Sequence, residues 1–320
     1  MELLFLGTSS GVPTRQRNMS GLALSVENGS GWYLVDCGEA TQHRLQRTPL
    51  SAMGLKGIFI THIHGDHCYG LPGLLASAVM GGRTAPLSIV APQAIAEWLQ
   101  ATQALTALHL PFELRFQAVE AQAPWRDDDV VVEPYPLSHR VPSWAYRFTE
   151  ARREGRLDTE RLAQAGVPRG PLWGALQAGH PITHEGRTLA PEDYLHFPYP
   201  PRRIIVAGDN DRPELLAQAC TDAHVLVHEA TYTQEVADRV GVAAFQHSSA
   251  KRVAAFAESV HLPNLVLTHF SARYQADTRK SPSIADIGAE AAAHYHGGLH
   301  LAEDLARYRL AKDGTFGLVA

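Results

Sequence analysis

Thr61-His62-Ile63-His64-Gly65-Asp66-His67 sets three imidazoles and a carboxylate close together, directly after the apolar run Ile58-Phe59-Ile60. The run is short, rich in β-branched and aromatic residues and preceded by the breaker Gly57, which predicts a buried strand delivering the cluster at its C-terminal end. Residues Leu71 to Met80 predict a helix, with Pro72 in its first turn and Gly81-Gly82 ending it. The cluster therefore falls in a tight strand-to-helix loop. Imidazole nitrogen and carboxylate oxygen together suit zinc or a similar divalent first-row ion. His62 and His64 point the same way if the chain stays extended, whereas the adjacent Asp66 and His67 do not easily join the same ion, which suggests two metals side by side. A solvated polar loop is the alternative, but it leaves so packed a His/Asp set without a reason.

A chain of 320 residues with 45% hydrophobic content buries a sizeable core, as one large domain or two smaller ones. Its formal charge of -5 argues against a uniformly basic, nucleic-acid-coating surface and leaves room for a local basic face. The start, Met1 to Gly7, has no basic segment before its apolar residues and reads as a first strand rather than a signal peptide. No stretch is long enough to span a bilayer. Cys37, Cys68 and Cys220 form no Cys-x-x-Cys pair and argue against a disulfide framework, so a cytoplasmic location is expected. There are 17 histidines, more than a single metal centre uses. We read ten of them as structural or surface residues: His43, His109, His180, His184, His196, His224, His261, His294, His296 and His300.

The segments Glu2 to Leu6, Leu22 to Val26 and Trp32 to Val35 predict a β-meander, with the turn Asn28-Gly29-Ser30-Gly31 between its last two strands. Gly11 to Ser20, with Arg15, Arg17 and Asn18, is a loop that either holds an anion or is simply solvated, and composition favours the second. Asp36 ends the third strand, where it either partners a ligating imidazole or caps a helix running from Ala40 to Leu45. Beyond the cluster, Leu87 to Val90 reads as a strand and Pro92 to Leu105 as a helix, an α/β alternation. Val130 to His139 is extended and finishes on a histidine. The same grammar returns in Arg202 to Asp209, in Ala223 to Glu229 and in Asn264 to His269. Apolar strands that each drop a potential ligand or acid/base at their C-terminal ends are what a metal site on one edge of a sheet requires.

Between His139 and Asp209 the texture changes. Thr149 to Gln164 is highly charged, with Arg152, Arg153, Arg156 and Arg161 against Glu150, Glu154, Asp158 and Glu160. Gly166 to Pro171 is Gly/Pro-rich. Leu172, Trp173, Leu176, Tyr194, Phe197 and Tyr199 supply apolar contacts, so residues 150–200 read as a flexible, protruding arm with its own small knot, inserted into the second half. Further on come a helix over Pro213 to Ala219, a helix from Ala250 to Val260 capped by Ser248 or Ser249 with His247 at its entrance, and a last helix from Ser281-Pro282 to Tyr295. A final strand lies near Phe316.

His62-x-His64-x-Asp66-His67 followed by His139, Gly208-Asp209 and Thr268-His269 resembles the metallo-β-lactamase superfamily over nearly the whole length. More narrowly, several features resemble the ribonuclease Z family: the loop Pro13-x-x-x-Arg17-Asn18, His228-Glu229-Ala230-Thr231, His247-Ser248-Ser249-Ala250, Thr268-His269-Phe270-Ser271-x-Arg273-Tyr274 and the Gly170-Pro171 arm. Arg15 stands where that family's loop usually has lysine, and Asn210 where threonine is common. The resemblance implies an α/β fold, a four-layer αββα sandwich spanning residues 1–320, with two zinc ions per subunit or another divalent metal such as manganese. By motif, His62, His64 and His139 hold one ion, Asp66, His67 and His269 the other, and Asp209 bridges. Two cations about 4 Å apart activate water and neutralise charge on an in-line phosphodiester transition state. Asp66 also orients or deprotonates that water, and Glu229 with His247 protonates the leaving oxygen. The implied activity is endonucleolytic removal of the 3′ trailer from precursor tRNA, leaving a 3′-hydroxyl on the tRNA and a 5′-phosphate on the trailer. Substrate contacts are implied for Arg17, Asn18, Gly170 and Pro171, with residues 150–200 as a tRNA-binding exosite of a homodimer.

Two other readings compete, a different hydrolase and a non-hydrolytic metalloprotein, the latter either a redox centre or a nucleic-acid-binding module. A hydrolase of small phosphodiesters or other esters has no need of a distant arm or of the Glu229/His247 pair. A di-iron redox centre would favour another carboxylate over the all-nitrogen pair His62/His64. A binding module with a structural metal would show no chelator-sensitive turnover.

Overall fold

The computed structural model describes residues 1–27, 29, 31–151, 155–241 and 245–319. Asn28 and Ser30 of the expected turn, and Arg152, Arg153 and Glu154 of the charged run, lie outside the described residues. By backbone contacts the chain divides into two compact units, Met1–Thr149 with Arg202–Ala320, and Glu150–Pro201.

The first unit is built on two sheets. One has eight strands in the order Phe316–Leu318, Arg307–Leu310, Glu2–Gly7, Gly21–Ser25, Trp32–Val35, Leu55–Phe59, Leu87–Ala91 and Leu114–Ala118. The other has seven: Gly298–Leu301, Asn264–Thr268, Val225–Glu229, Arg203–Ala207, Ser143–Glu150, Val130–Leu137 and Trp125–Arg126. In the first sheet Glu2–Gly7, Gly21–Ser25 and Trp32–Val35 pair antiparallel as a meander, and Leu55–Phe59, Leu87–Ala91 and Leu114–Ala118 then pair in parallel. Successive side chains point to opposite faces and both faces are covered, which is why the strands read as continuous apolar runs. Leu3 and Phe5 enter the layer between the sheets, where Phe59, Tyr146 and Val206 also lie, while Leu4 and Leu6 face the other way. On that outer side they meet Leu71, Leu74 and Leu75 of the helix Leu71–Met80 and Ile95 and Leu99 of the helix Gln93–Thr106. In the second sheet Val225 and Val227 point inward, and Leu226 packs outward with Val253 and Ala257 of Ala250–Ser259 and Ile287 of Ile284–Ala292. Three apolar layers thus separate helix, sheet, sheet and helix, the four-layer αββα sandwich. Among the described residues no helix is long and apolar enough to cross a membrane.

Several local expectations change. Pro213 to Leu216 is a single 3-10 turn rather than a helix to Ala219. The last helix begins at Ile284, because Ser283 forms a capping box with Asp286, and it ends at Ala292. Ser249 caps the helix from Ala250 by accepting from the Arg252 N–H, whereas the Ser248 hydroxyl donates to the Asn210 carbonyl at 2.6 Å. Asp36 does not cap Thr41–Leu45, whose first turn has no side-chain cap. The strand Ser143–Glu150 was not expected, although Trp144, Tyr146 and Phe148 alternate inward as a strand requires.

The unit Glu150–Pro201 holds a small core of Leu162, Val167, Leu176 and Ile182, with Leu172, Trp173 and Tyr194 packed against it. Its helices are short, and Asp158 caps one of them by accepting from the Arg161 N–H at 2.9 Å. Gly170 and Pro171 open the helix Pro171–Gln177, and both are exposed. Phe197 and Tyr199 lie largely outside this core and are exposed.

Candidate metal centre

Strand ends assemble the site. Phe59 leads to His62, Leu137 to His139, Ala207 to Asp209 and Thr268 to His269, while Val225–Glu229 ends on Glu229 itself. The loop after Phe59 differs from its expected form in one respect: Gly65–Cys68 is a helical turn of its own, carrying Asp66 and His67. Gly208 lets its strand end approach the loop, since a Cβ there would stand 2.6 Å from Thr61 Cβ. Asp36 and His269 have φ of 60° and 58°, a left-handed conformation that non-glycine residues adopt at some cost.

Two sets of donor atoms converge. In the first, His64 Nδ1 lies 3.1 Å from both His62 Nε2 and His139 Nε2, and Asp209 Oδ2 lies 3.6 and 3.7 Å from those two Nε2 atoms. In the second, His67 Nε2 and His269 Nε2 are 3.2 Å apart. Asp66 Oδ2 lies 3.6 and 3.3 Å from them, and Asp209 Oδ1 lies 3.5 and 3.4 Å from them. Asp209 thus gives one oxygen to each set. Four ligands about 2.0–2.2 Å from a tetrahedral ion stand about 3.3–3.6 Å apart, so both sets have the spacing of a first-row metal site.

The hydrogen bonds around the rings carry the same conclusion independently. His139 Nδ1 lies 2.9 Å from the Gln246 carbonyl, which only accepts, so Nδ1 is the donor and Nε2 presents a lone pair. His67 Nδ1 donates to Asp36 at 2.7 Å. His62 Nδ1 faces the Thr61 hydroxyl at 3.0 Å, and that hydroxyl donates to Asp36 Oδ2 at 2.9 Å. His269 Nδ1 faces the Thr231 hydroxyl at 3.2 Å, and Thr231 donates to Glu229 at 2.5 Å. These bonds leave the Nε2 atoms of His62, His139 and His269 as acceptors among carboxylate oxygens, an arrangement that a cation satisfies. Burial holds His62, His64 and His139 below the ordinary imidazole range, in the neutral form that ligates. His67 moves the other way: burial opposes its charge, but Asp209, Asp66 and Asp36 outweigh burial and drive it well above that range. Positive charge is thus what this half of the site demands, as a proton or as a metal that displaces it.

Glu229 and His247 stand beside the two sets. His247 Nδ1 lies 3.0 and 3.1 Å from the Glu229 oxygens. Burial works against an imidazolium here, but Glu229 and Asp209 push His247 up to about 9. His247 also falls within reach of Asp209 and His269 as a potential donor atom, although its Nδ1 is engaged by Glu229. The residues that sequence reasoning missed are the partners of these groups. Thr231 joins His269 to Glu229, and the Asn210 N–H donates to Glu229 Oε1 at 2.8 Å. The Gly11 N–H donates to Asp66 Oδ2 at 2.8 Å. Arg17 turns inward, donating to the Thr8 hydroxyl at 2.6 Å and the Ala302 carbonyl at 2.7 Å, and Asn18 Nδ2 donates to the Glu39 carbonyl at 3.0 Å.

Fold and edge site together define a metallo-β-lactamase-fold protein with groups able to hold metal ions. The structure of YhfI from Bacillus subtilis, a metallo-β-lactamase fold protein, superimposes with a TM-score of 0.66 at 16% identity, over 96% of this chain and 97% of its own. A family model described as anti-Pycsar protein Apyc1 matches residues 1–108. The ribonuclease Z of Pseudomonas putida (strain W619) is 58% identical over 319 residues, 100% of this chain and 99% of its own. The short form of human tRNase Z superimposes with a TM-score of 0.67 at 25% identity, covering 97% of this chain and 100% of its own. The chain belongs to the ribonuclease Z family and is an endoribonuclease of that type.

Proposed function

We propose that the protein is a metal-dependent, tRNA-processing endoribonuclease that hydrolyses the phosphodiester joining precursor tRNA to its 3′ trailer, leaving a 3′-hydroxyl on the tRNA and a 5′-phosphate on the trailer. The observation that carries this reading is the pair of converging imidazole and carboxylate sets sharing Asp209, with Glu229 and His247 alongside. His62, His64 and His139 with Asp209 would hold one divalent ion, and Asp66, His67 and His269 with Asp209 a second, zinc being the best match to the donor chemistry. Bound there, the ions supply an activated water and positive charge for the phosphodiester transition state. Asp66, with Oδ2 fixed by the Gly11 N–H, orients the attacking water. Glu229 holds His247 Nδ1–H and favours the imidazolium, so the opposite nitrogen gives its proton to the departing 3′-oxygen. Arg17 and Asn18 act on the substrate side through the loop they anchor. The unit Glu150–Pro201, with Gly170 and Pro171, binds the tRNA, and the chain acts as a homodimer in the cytoplasm.

The test is incubation with a precursor tRNA bearing a 3′ trailer, with and without chelator, mapping both new ends. The expected result is metal-dependent cleavage at the trailer boundary with the stated ends. Chelator-insensitive cleavage overturns the metal assignment, and turnover of small phosphodiesters without cleavage of the precursor favours the small-ester reading.

A further inference from the structure

Residues 302–306 follow the strand Gly298–Leu301 and turn back toward the other sheet. Backbone bonds fasten this turn to both: the Ala302 N–H donates to the Leu267 carbonyl at 2.8 Å and the Leu305 N–H to the Phe5 carbonyl at 2.6 Å. From the turn Asp304 points inward, its side chain only 4% exposed. Oδ1 accepts from the Thr8 hydroxyl at 2.7 Å, and Oδ2 accepts from the Asn18 N–H at 2.7 Å and from Arg44 at 2.9 Å. Arg17 closes the knot, with its guanidinium carbon 4.8 Å from the centroid of the Phe270 ring. A carboxylate buried at this depth is costly, and these three bonds offset part of that cost.

Besides Arg44, the partners of Asp304 are the two ends of one loop. Thr8 precedes it and Asn18 ends it, and the Ser9 N–H closes it by donating to the Asn18 carbonyl at 2.9 Å. Gly7 allows this closure, because a Cβ there would stand 1.7 Å from the Met19 carbonyl oxygen. Inside the loop lies Gly11, whose N–H reaches Asp66 Oδ2, the same oxygen that lies 3.3 Å from His269 Nε2.

We propose that Asp304 is a positioning residue for Asp66: it locks the loop 8–18 at both ends, and the loop aims the Gly11 N–H at the Asp66 oxygen that faces the second donor set. The functional half rests on Asp66 being a metal ligand. The structural half, from Asp304 to Gly11, does not.

Asp304→Asn keeps the shape while replacing one acceptor oxygen and removing the charge that faces Arg44. In metal-free protein, amide hydrogen exchange at Gly11 is expected to quicken about 10-fold, the scale of a lost hydrogen bond to a charged group, with the strand Leu55–Phe59 unchanged. Unchanged exchange at Gly11 overturns the proposal. In metal-loaded protein, one of the two metal equivalents is expected to pass to a chelator about 10-fold faster, the scale of losing an outer partner, while the other keeps its rate. Equal quickening of both, or a fall in Tm with neither affected, leaves Asp304 a purely structural residue and sinks the positioning role. If the wild type binds no metal, the ligand reading fails and the exchange measurement still decides the link to Gly11. Should Asp304→Asn not fold, Thr8→Val removes one donor to the same carboxylate, and the same change in exchange at Gly11, of smaller size, is the expected result.

Discussion

The two donor sets are supported to different depths. In the first, only His62 has a partner that is fixed in turn, the Thr61 hydroxyl that donates on to Asp36, while His139 leans on the Gln246 carbonyl and His64 is only half-buried. In the second, His67 is held by Asp36, which is itself pinned by the Thr61 N–H at 2.8 Å and the Thr61 hydroxyl. His269 is held by Thr231, and Thr231 by Glu229. Asp66 is held by the Gly11 N–H. A ring fixed by a partner that is fixed in turn loses less freedom when it binds, so the second set should keep its metal longer. It also shares Glu229 with His247, so the proposed acid and the proposed metal ligand His269 lie on one chain of contacts.

Asp209 belongs to both sets, and its removal is the strongest way to break the comparison. Asp209→Ala should strip metal from both sets and abolish cleavage of precursor tRNA, with metal content measured after desalting. Loss of a single equivalent would mean that Asp209 does not bridge. His247→Ala separates the sets from the acid: turnover should fall about 100- to 10,000-fold while both equivalents of metal remain. Loss of metal in that variant would instead make His247 a ligand. Asp36→Ala tests the deeper support of the second set. It should lower the affinity of the second set's metal about 10- to 100-fold and that of the first, which Asp36 reaches only through Thr61 and His62, by less, read by titration against a competing chelator. Equal weakening of both would erase the asymmetry.

Much of this arrangement is legible from sequence because the chain repeats one grammar, an apolar run ending in a ligand-type side chain. His62, His139, Asp209 and His269 each follow such a run, and parallel pairing of Arg203–Ala207, Val225–Glu229 and Asn264–Thr268 brings Asp209, Glu229 and His269 to one edge of their sheet. Asp36 is legible only as a choice between cap and partner, since a left-handed φ of 60° decides where its carboxylate points and nothing in Val35-Asp36-Cys37 encodes that angle alone. Thr231 and Gly11 are illegible for another reason. Their roles are contacts to His269 and Asp66, far along the chain, and a threonine or a backbone N–H has no local pattern that marks it. The strand Ser143–Glu150 carried its signal in Trp144, Tyr146 and Phe148, while the turn Pro213–Leu216 shows that a proline-initiated apolar stretch need not continue as a helix. Arg17 carries the opposite lesson. A cation in a polar loop reads as a surface contact, but Thr8, Ala302 and Phe270 give it an internal seat.

The smallest change is the most specific to the comparison. The Thr231 hydroxyl lies between His269 Nδ1 and Glu229 Oε2, so Thr231→Val removes one hydrogen bond from a ligand and one from the residue that holds His247, at nearly constant volume. Glu229 keeps the Asn210 N–H and His247, so the acid should remain oriented, and the main loss should fall on His269. The expected result is a metal release rate from the second set about 2- to 10-fold higher, with little change in turnover at saturating metal. A fall in turnover with unchanged release would place Thr231 with the acid pair instead. The deeper wiring of the second set would then serve proton delivery more than metal retention.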